Sequence, residues 1–173
     1  MTRRFRPHAL FTTLALLLAV APATAQGGLA GTWQYAGGGD ENARREAAIE
    51  TATEELGRMI RGRARERLGQ RTTPAPRLQI ALDGDAVTLT GANGTLALTI
   101  GGPTVSVSGA NGGGQARATR RGGHLVVTLR GDNGVQTTTY RPSDDGTRLV
   151  LQVQMTGERL STPLRYRLTY RRR

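Results

Sequence analysis

The sequence predicts a mainly β fold, a single antiparallel up-and-down barrel of 8–10 strands with an amphipathic helical insertion between the first and second strands. Three observations carry this reading. Turn-forming pairs of Gly, Asn and Asp recur about every 8 to 12 residues after Pro76, as they do between consecutive hairpins. Apolar residues alternate between those turns, and one earlier stretch changes to three- and four-residue spacing.

The chain opens with Arg3, Arg4 and Arg6 ahead of an apolar stretch from Ala9 to Ala21, and Ala23-Thr24-Ala25 then supplies small residues before Gln26. This pattern predicts an export signal over residues 1–25, cleaved after Ala25, which makes the protein periplasmic or secreted. The apolar run is short for a membrane span, and no Cys follows it for lipid attachment. Residues 26–173 are expected to form one domain, with no transmembrane span in the mature chain.

Leu29 to Tyr35 reads as the first strand, with Trp33 and Tyr35 on one face. Gly37-Gly38-Gly39 ends it. From Asp40 to about Gly69 the spacing is helical, and Ile49, Ala52, Leu56, Met59, Ile60 and Ala64 form one stripe. Asp40 or Asn42 is expected to cap the start, with Gly57 and Gly62 as points where the segment divides. Thr72-Thr73-Pro74-Ala75-Pro76 stops it, because Pro cannot continue a helix.

Nine strands are expected after Pro76. Their inward faces are Leu78, Ile80 and Leu82; Val87 and Leu89; Leu96, Leu98 and Ile100; Val105 and Val107; Leu125, Val127 and Leu129; Leu149, Leu151, Val153 and Met155; and Leu164, Tyr166, Leu168 and Tyr170. Strands apolar on one side must cover that side, and a meander does so by curling into a barrel. A two-sheet sandwich is the alternative. An outer-membrane barrel would need the reverse polarity.

Composition removes several chemistries. There is no Cys, and beyond the signal His124 is the only His, so no disulfide, thiolate nucleophile or Cys/His zinc site can form. His124 has no acidic sequence neighbour to make it a general base. Asp144-Asp145-Gly146 and Asp83-Gly84-Asp85 lack the ligand series of a calcium loop and read as turns. Gly112-Gly113-Gly114 precedes no helix, so it is a loop and not a phosphate cradle. No cofactor is expected.

Every one of the 24 basic residues is Arg. Beyond the signal, 21 arginines face 13 carboxylates, a net charge of +8. Such a surface attracts anions over a screening length of about 8 to 10 Å. Nothing in it marks a specific nucleic-acid site.

Gly31-Thr32-Trp33 at the start of the first strand, followed by a meander whose last strand carries Arg167 and Arg171, resembles the signature shared by lipocalins, fatty-acid-binding proteins and their calycin relatives. The resemblance implies a lipocalin-like barrel whose Trp lies at the closed end under an Arg of the final strand, with an open end that admits an apolar ligand. The order of strand, helical segment and nine strands is more similar to the fatty-acid-binding layout than to that of lipocalins, whose helix follows the barrel. One family feature is absent: the Arg-x-Tyr pair on the last strand is replaced by Arg165 and Arg167. Fatty-acid-binding proteins are also usually cytosolic. The chain resembles, too, small exported bacterial proteins of unknown function that begin with a Gly-Thr-Trp strand.

The expected function is therefore non-enzymatic, the carrying or sensing of a small apolar or amphipathic molecule. Trp33, Tyr35, Tyr166 and Tyr170 on the first and last strands, with Leu56, Met59 and Ile60 of the helical stripe, are the candidate ligand-binding residues. The alternative is a filled barrel that binds a protein or an anionic envelope component through its outer surface. Its basic patch would comprise Arg117, Arg120, Arg121, Arg171, Arg172 and Arg173, since guanidinium forks pair well with carboxylate or phosphate.

Overall fold

The computed structural model describes residues 28–109 and 112–173. The expected export segment and Asn111 of the turn expected there lie outside the described residues. The elements run β1 (Gly31–Tyr35), α1 (Gly39–Ala52), α2 (Arg58–Thr72), β2 (Arg77–Asp83), β3 (Ala86–Gly91), β4 (Gly94–Thr99), β5 (Val105–Gly109), β6 (Gly112–Arg121), β7 (His124–Gly131), β8 (Gly134–Pro142), β9 (Arg148–Thr156) and β10 (Leu164–Arg172).

All ten strands belong to one sheet in the order β4-β3-β2-β1-β10-β9-β8-β7-β6-β5. Every ladder is antiparallel, and β1 pairs with both β2 and β10, which joins the first strand to the last. The sheet therefore wraps into a nearly closed barrel, and the sandwich alternative is overturned. Eight of the ten strands form where alternation foretold them, because each turn supplies a residue able to reverse the chain. Gly84, at φ +56 between β2 and β3, is one such residue. β6 and β8 carry no apolar alternation, and Gly112-Gly113-Gly114, expected as a loop, begins β6.

The inward faces make one core. Ile80, Val87, Leu125, Leu149 and Leu164 are at most 2% exposed, and full burial of each contributes about 1.5–3 kcal/mol. Two strands add inward residues that alternation did not reveal. β6 contributes Ala116 and Ala118, and β8 contributes Thr138 and Tyr140, all buried. Leu96, Val105, Val107 and Leu129 remain half-buried, for a reason given below.

The helical insertion departs from expectation in three ways. First, neither Asp40 nor Asn42 caps it: the helix starts at Gly39, Gly38 holds the cap position, and no side chain bonds there. Second, of the two expected division points only Gly57 holds: the break covers residues 53–57, and Gly57 is the N-cap of α2. Thr53 Oγ1 donates back to Ile49 O at 2.8 Å, while Ala52 O accepts from Ser161 N and Ser161 Oγ in the β9–β10 loop. Gly62 lies within α2, which continues past Gly69 to Thr72. Third, the stripe is not continuous. Ile49 and Ala52 are buried and Leu56 is half-buried, but Met59 is 90% and Ile60 60% exposed. The break lets α2 rotate, so its first turn faces water.

Candidate functional site

The closed end of the barrel is built around Trp33, which is fully buried and donates its indole N–H to Leu29 O at 3.0 Å. Arg172 of β10 stands directly opposite Trp33 in the ladder, and its guanidinium carbon lies 4.6 Å from the ring centroid. The same side chain donates to Gly28 O, Ala30 O and Gly146 O at 2.7–2.9 Å. Gly31, at φ +142, makes room for it, because a Cβ there would sit 2.7 Å from Arg172 Nη1. The covering arginine is thus Arg172, and neither Arg167 nor Arg171 takes that place.

A seam runs along β10 where β1 is too short to pair with it. β1 pairs with β10 only at residues 170–172, and α1 packs against the remainder. Glu41 in its first turn accepts from Thr169 N at 2.9 Å and Thr169 Oγ1 at 2.8 Å, so a carboxylate satisfies a β10 backbone donor beyond the ladder. Arg45, one turn on, is 8% exposed. Its Nη1 donates to Thr72 Oγ1 at 2.9 Å and its Nη2 lies 3.7 Å from Glu46, while Nε is buried without a partner. Burial pushes the Tyr166 phenol up to about 12, with the charges of Arg45 and Arg71 opposing the shift. Burial, followed by the Glu41 charge, also raises Tyr35, whose ring meets Tyr170 edge-on at 5.6 Å.

The barrel opens between β4 and β5, the two ends of the strand order. No ladder joins them. The gap is fastened near the closed end, where Gly101 N donates to Ala118 O of β6 at 2.9 Å. Farther along it widens into a concavity of about 970 Å³. Leu96 of β4, Val107 of β5 and Leu129 of β7 border it, and the Thr73–Pro76 connection after α2 forms its roof. These aliphatic side chains belong to the inward set, yet they are half-buried because β4 and β5 do not meet over them.

The expected ligand residues do not converge on one site. Trp33 and Tyr170 are core, Tyr35 lies in the seam beside Asn42, and Tyr166 borders a separate polar groove on the outer wall. Leu56 is half-buried at the helix break, and Met59 and Ile60 point to solvent. The basic patch also divides. Arg117 and Arg121 share the outward face of β6, whereas Arg120 has the inward parity of Ala116 and Ala118. Arg171 faces outward, Arg172 covers Trp33, and Arg173 extends the strand by donating its backbone N–H to Thr32 O. Sequence reasoning placed the gap residues inward but missed that they line an opening. The Gly101-Gly102-Pro103 interruption between Ile100 and Val105 is the trace it left.

His124 starts β7 opposite Arg121. Among the described residues no three His, Cys, Asp or Glu side chains gather as a metal site, and no helix is long and apolar enough to cross a membrane. Asp145 is a turn residue: it accepts from Ser143 Oγ, Thr147 N and Thr147 Oγ1, which holds its carboxyl at about 2.

The fold is similar to that of the solved fatty-acid-binding-protein barrels. The fatty-acid-binding protein of Manduca sexta is 19% identical, with a TM-score of 0.53 over 83% of this chain and 98% of its own. The fluorescent protein UnaG is 20% identical, with a TM-score of 0.54 over 83% and 96%. A secretory abundant heat soluble protein of Ramazzottius varieornatus is 13% identical, with a TM-score of 0.54 over 83% and 94%. At these identities the likeness is one of fold. No family model matches the sequence, and no curated protein matches it.

Proposed function

We propose that this chain is an exported, non-enzymatic protein that holds a small apolar or amphipathic molecule in the gap between β4 and β5. The observation that carries the reading is the set of aliphatic side chains, Leu96, Val107 and Leu129, left half-buried around an opening of about 970 Å³. That volume is within the range of about 300–1,000 Å³ used for drug-sized ligands, and mainly apolar walls are what such sites require. Deeper in the barrel the inward side chains, Ile80, Val87, Leu125, Leu149 and Leu164 among them, are almost fully buried in the core, so the ligand sits at the opening with the roof segment over it. Among the structural neighbours, several are described as fatty-acid-binding proteins and one as a fatty acid transporter. Export rests on the Arg3-to-Ala25 pattern.

The test is displacement of a polarity-sensitive fluorescent fatty acid from the purified chain. Binding that falls roughly tenfold or more in Val107→Arg and Leu129→Arg, with unchanged circular dichroism, supports the site, since each places a charge in an apolar wall. Absence of binding, or equal binding by folded variants, refutes it. N-terminal sequencing of protein recovered outside the cytoplasm should begin at Gln26; an intact Met1 on cytoplasmic protein would refute export.

A further inference from the structure

We propose that the outer wall of the barrel over β6–β10 is a docking face for a linear acidic polysaccharide. These five strands contain ten arginines and no aspartate or glutamate. Arg120 and Arg172 have the inward parity and lie toward the closed end; the other eight have the outward parity and are exposed. The outward side chains line up across the strands. Arg117, Thr128, Thr137, Gln154 and Arg165 form one row, and Thr119, Val126, Thr139, Gln152 and Arg167 form the next.

Among the described residues none of the eight outward arginines lies within ion-pairing distance of a carboxylate, although the Asp145 charge acts on Arg148 at longer range. Among the described residues the ion pairs are Arg45–Glu46 and Arg65–Glu50, both within the helical hairpin. Arg148 and Arg171 stand directly opposite each other in the β9–β10 ladder, an arrangement that repels in an antiparallel pair and that a bound anion relieves. Against α1 the wall becomes concave, with a groove of about 740 Å³ between Arg44 and the side chains of Arg165 and Arg167. Glu41 borders the same groove, but its carboxylate is occupied by Thr169.

The mixture of side chains selects the ligand class. Arg165 and Arg167 are two residues apart on one strand, roughly 6.7 Å at their Cα atoms, and each guanidinium offers a fork suited to a carboxylate or sulfate group. Arg165 spends one donor on Gln154 at 3.3 Å. The Thr and Gln side chains between the arginines donate to and accept from sugar hydroxyls. Single-stranded nucleic acid is held by stacking successive bases on aromatic rings, and this groove is bordered by one ring alone among the described residues, the half-buried Tyr166. The face uses outward side chains of β6–β10, whereas the apolar gap is bordered by inward ones such as Val107 and Leu129, so this proposal and the apolar-ligand reading fail independently.

Calorimetric titration of the purified chain with alginate at low salt tests it, with neutral dextran, single-stranded DNA and phosphatidylglycerol vesicles as comparisons. Alginate should bind and dextran should not. Replacing both groove arginines in R165Q/R167Q should weaken alginate binding roughly tenfold, the loss of two charge-assisted forks, and R141Q/R148Q on the same wall should also weaken it. The α2 variant R63Q/R67Q, with the same change in net charge, should remain within about twofold because exposed charges away from the contact are screened. No alginate binding, an equal loss in the α2 variant, or tighter binding of DNA or vesicles at matched charge would overturn the proposal.

Discussion

Arg172 shows how one side chain can close a barrel. Its guanidinium satisfies three backbone carbonyls from the chain entering β1 and from the β8–β9 turn, and its face covers the ring of Trp33. Arg172→Ala removes all of these together. The expected loss is about 2 kcal/mol of folding stability, combining hydrogen bonds to a charged group with a cation–π contact. Arg171→Ala, one residue away and facing outward opposite Arg148, should change stability by less than about 0.5 kcal/mol. Equal effects of the two in urea unfolding would show that Arg172 is merely another surface arginine. The motif Gly31-Thr32-Trp33 was legible in the sequence, but its partner was not. Arginines at 165, 167, 171, 172 and 173 look alike until strand register shows which of them meets the indole.

The helices show where periodicity stops being informative. A stripe drawn from Ile49 to Ala64 assumes one continuous helix, yet Thr53 and Ser161 end α1 at Ala52, and α2 resumes at Arg58 with its own phase. Apolar spacing on the two sides of such a break carries no common face, so Ile49 is core and Met59 is solvent-exposed. The double change Met59→Gln and Ile60→Gln should therefore shift the urea midpoint by no more than about 0.5 kcal/mol in free energy. Ile49→Ala, which empties a core position, should cost about 2–5 kcal/mol. A loss above about 1 kcal/mol in the α2 variant would mean that those side chains are buried after all. β8 presents the reverse case. Its Thr137-Thr138-Thr139 run has no apolar alternation, so only pairing with Val127 and Val153 reveals that Thr138 points inward.

At the scale of the whole molecule, strand alternation and turn chemistry were enough to predict a barrel of 8–10 strands with a sandwich as the alternative, because each inward face needs the others for cover. Pairing of β1 with both β2 and β10 decides for the barrel. The gap between β4 and β5 was not read from the sequence: its trace is the Gly101-Gly102-Pro103 interruption, and a missing ladder leaves no alternation of its own. The inward aromatic set has a consequence for the entire fold. The chain has four Tyr, and burial is the leading cause that raises all of them: Tyr166 to about 12, and Tyr35, Tyr140 and Tyr170 upward as well. Below pH 10 these phenols are neutral in both folded and unfolded chains, so they leave stability unchanged there. Above it the unfolded chain loses protons that the folded barrel retains, and stability must fall as pH rises toward 12 and beyond. Alkaline titration should show most of the phenolate absorbance, that of Tyr140, Tyr166 and Tyr170, rising well above pH 10 and concurrently with loss of the β circular dichroism. A phenol that ionises at its ordinary value of about 10, with the dichroism intact, would show that its ring is in water and that the barrel is less filled than its side chains indicate.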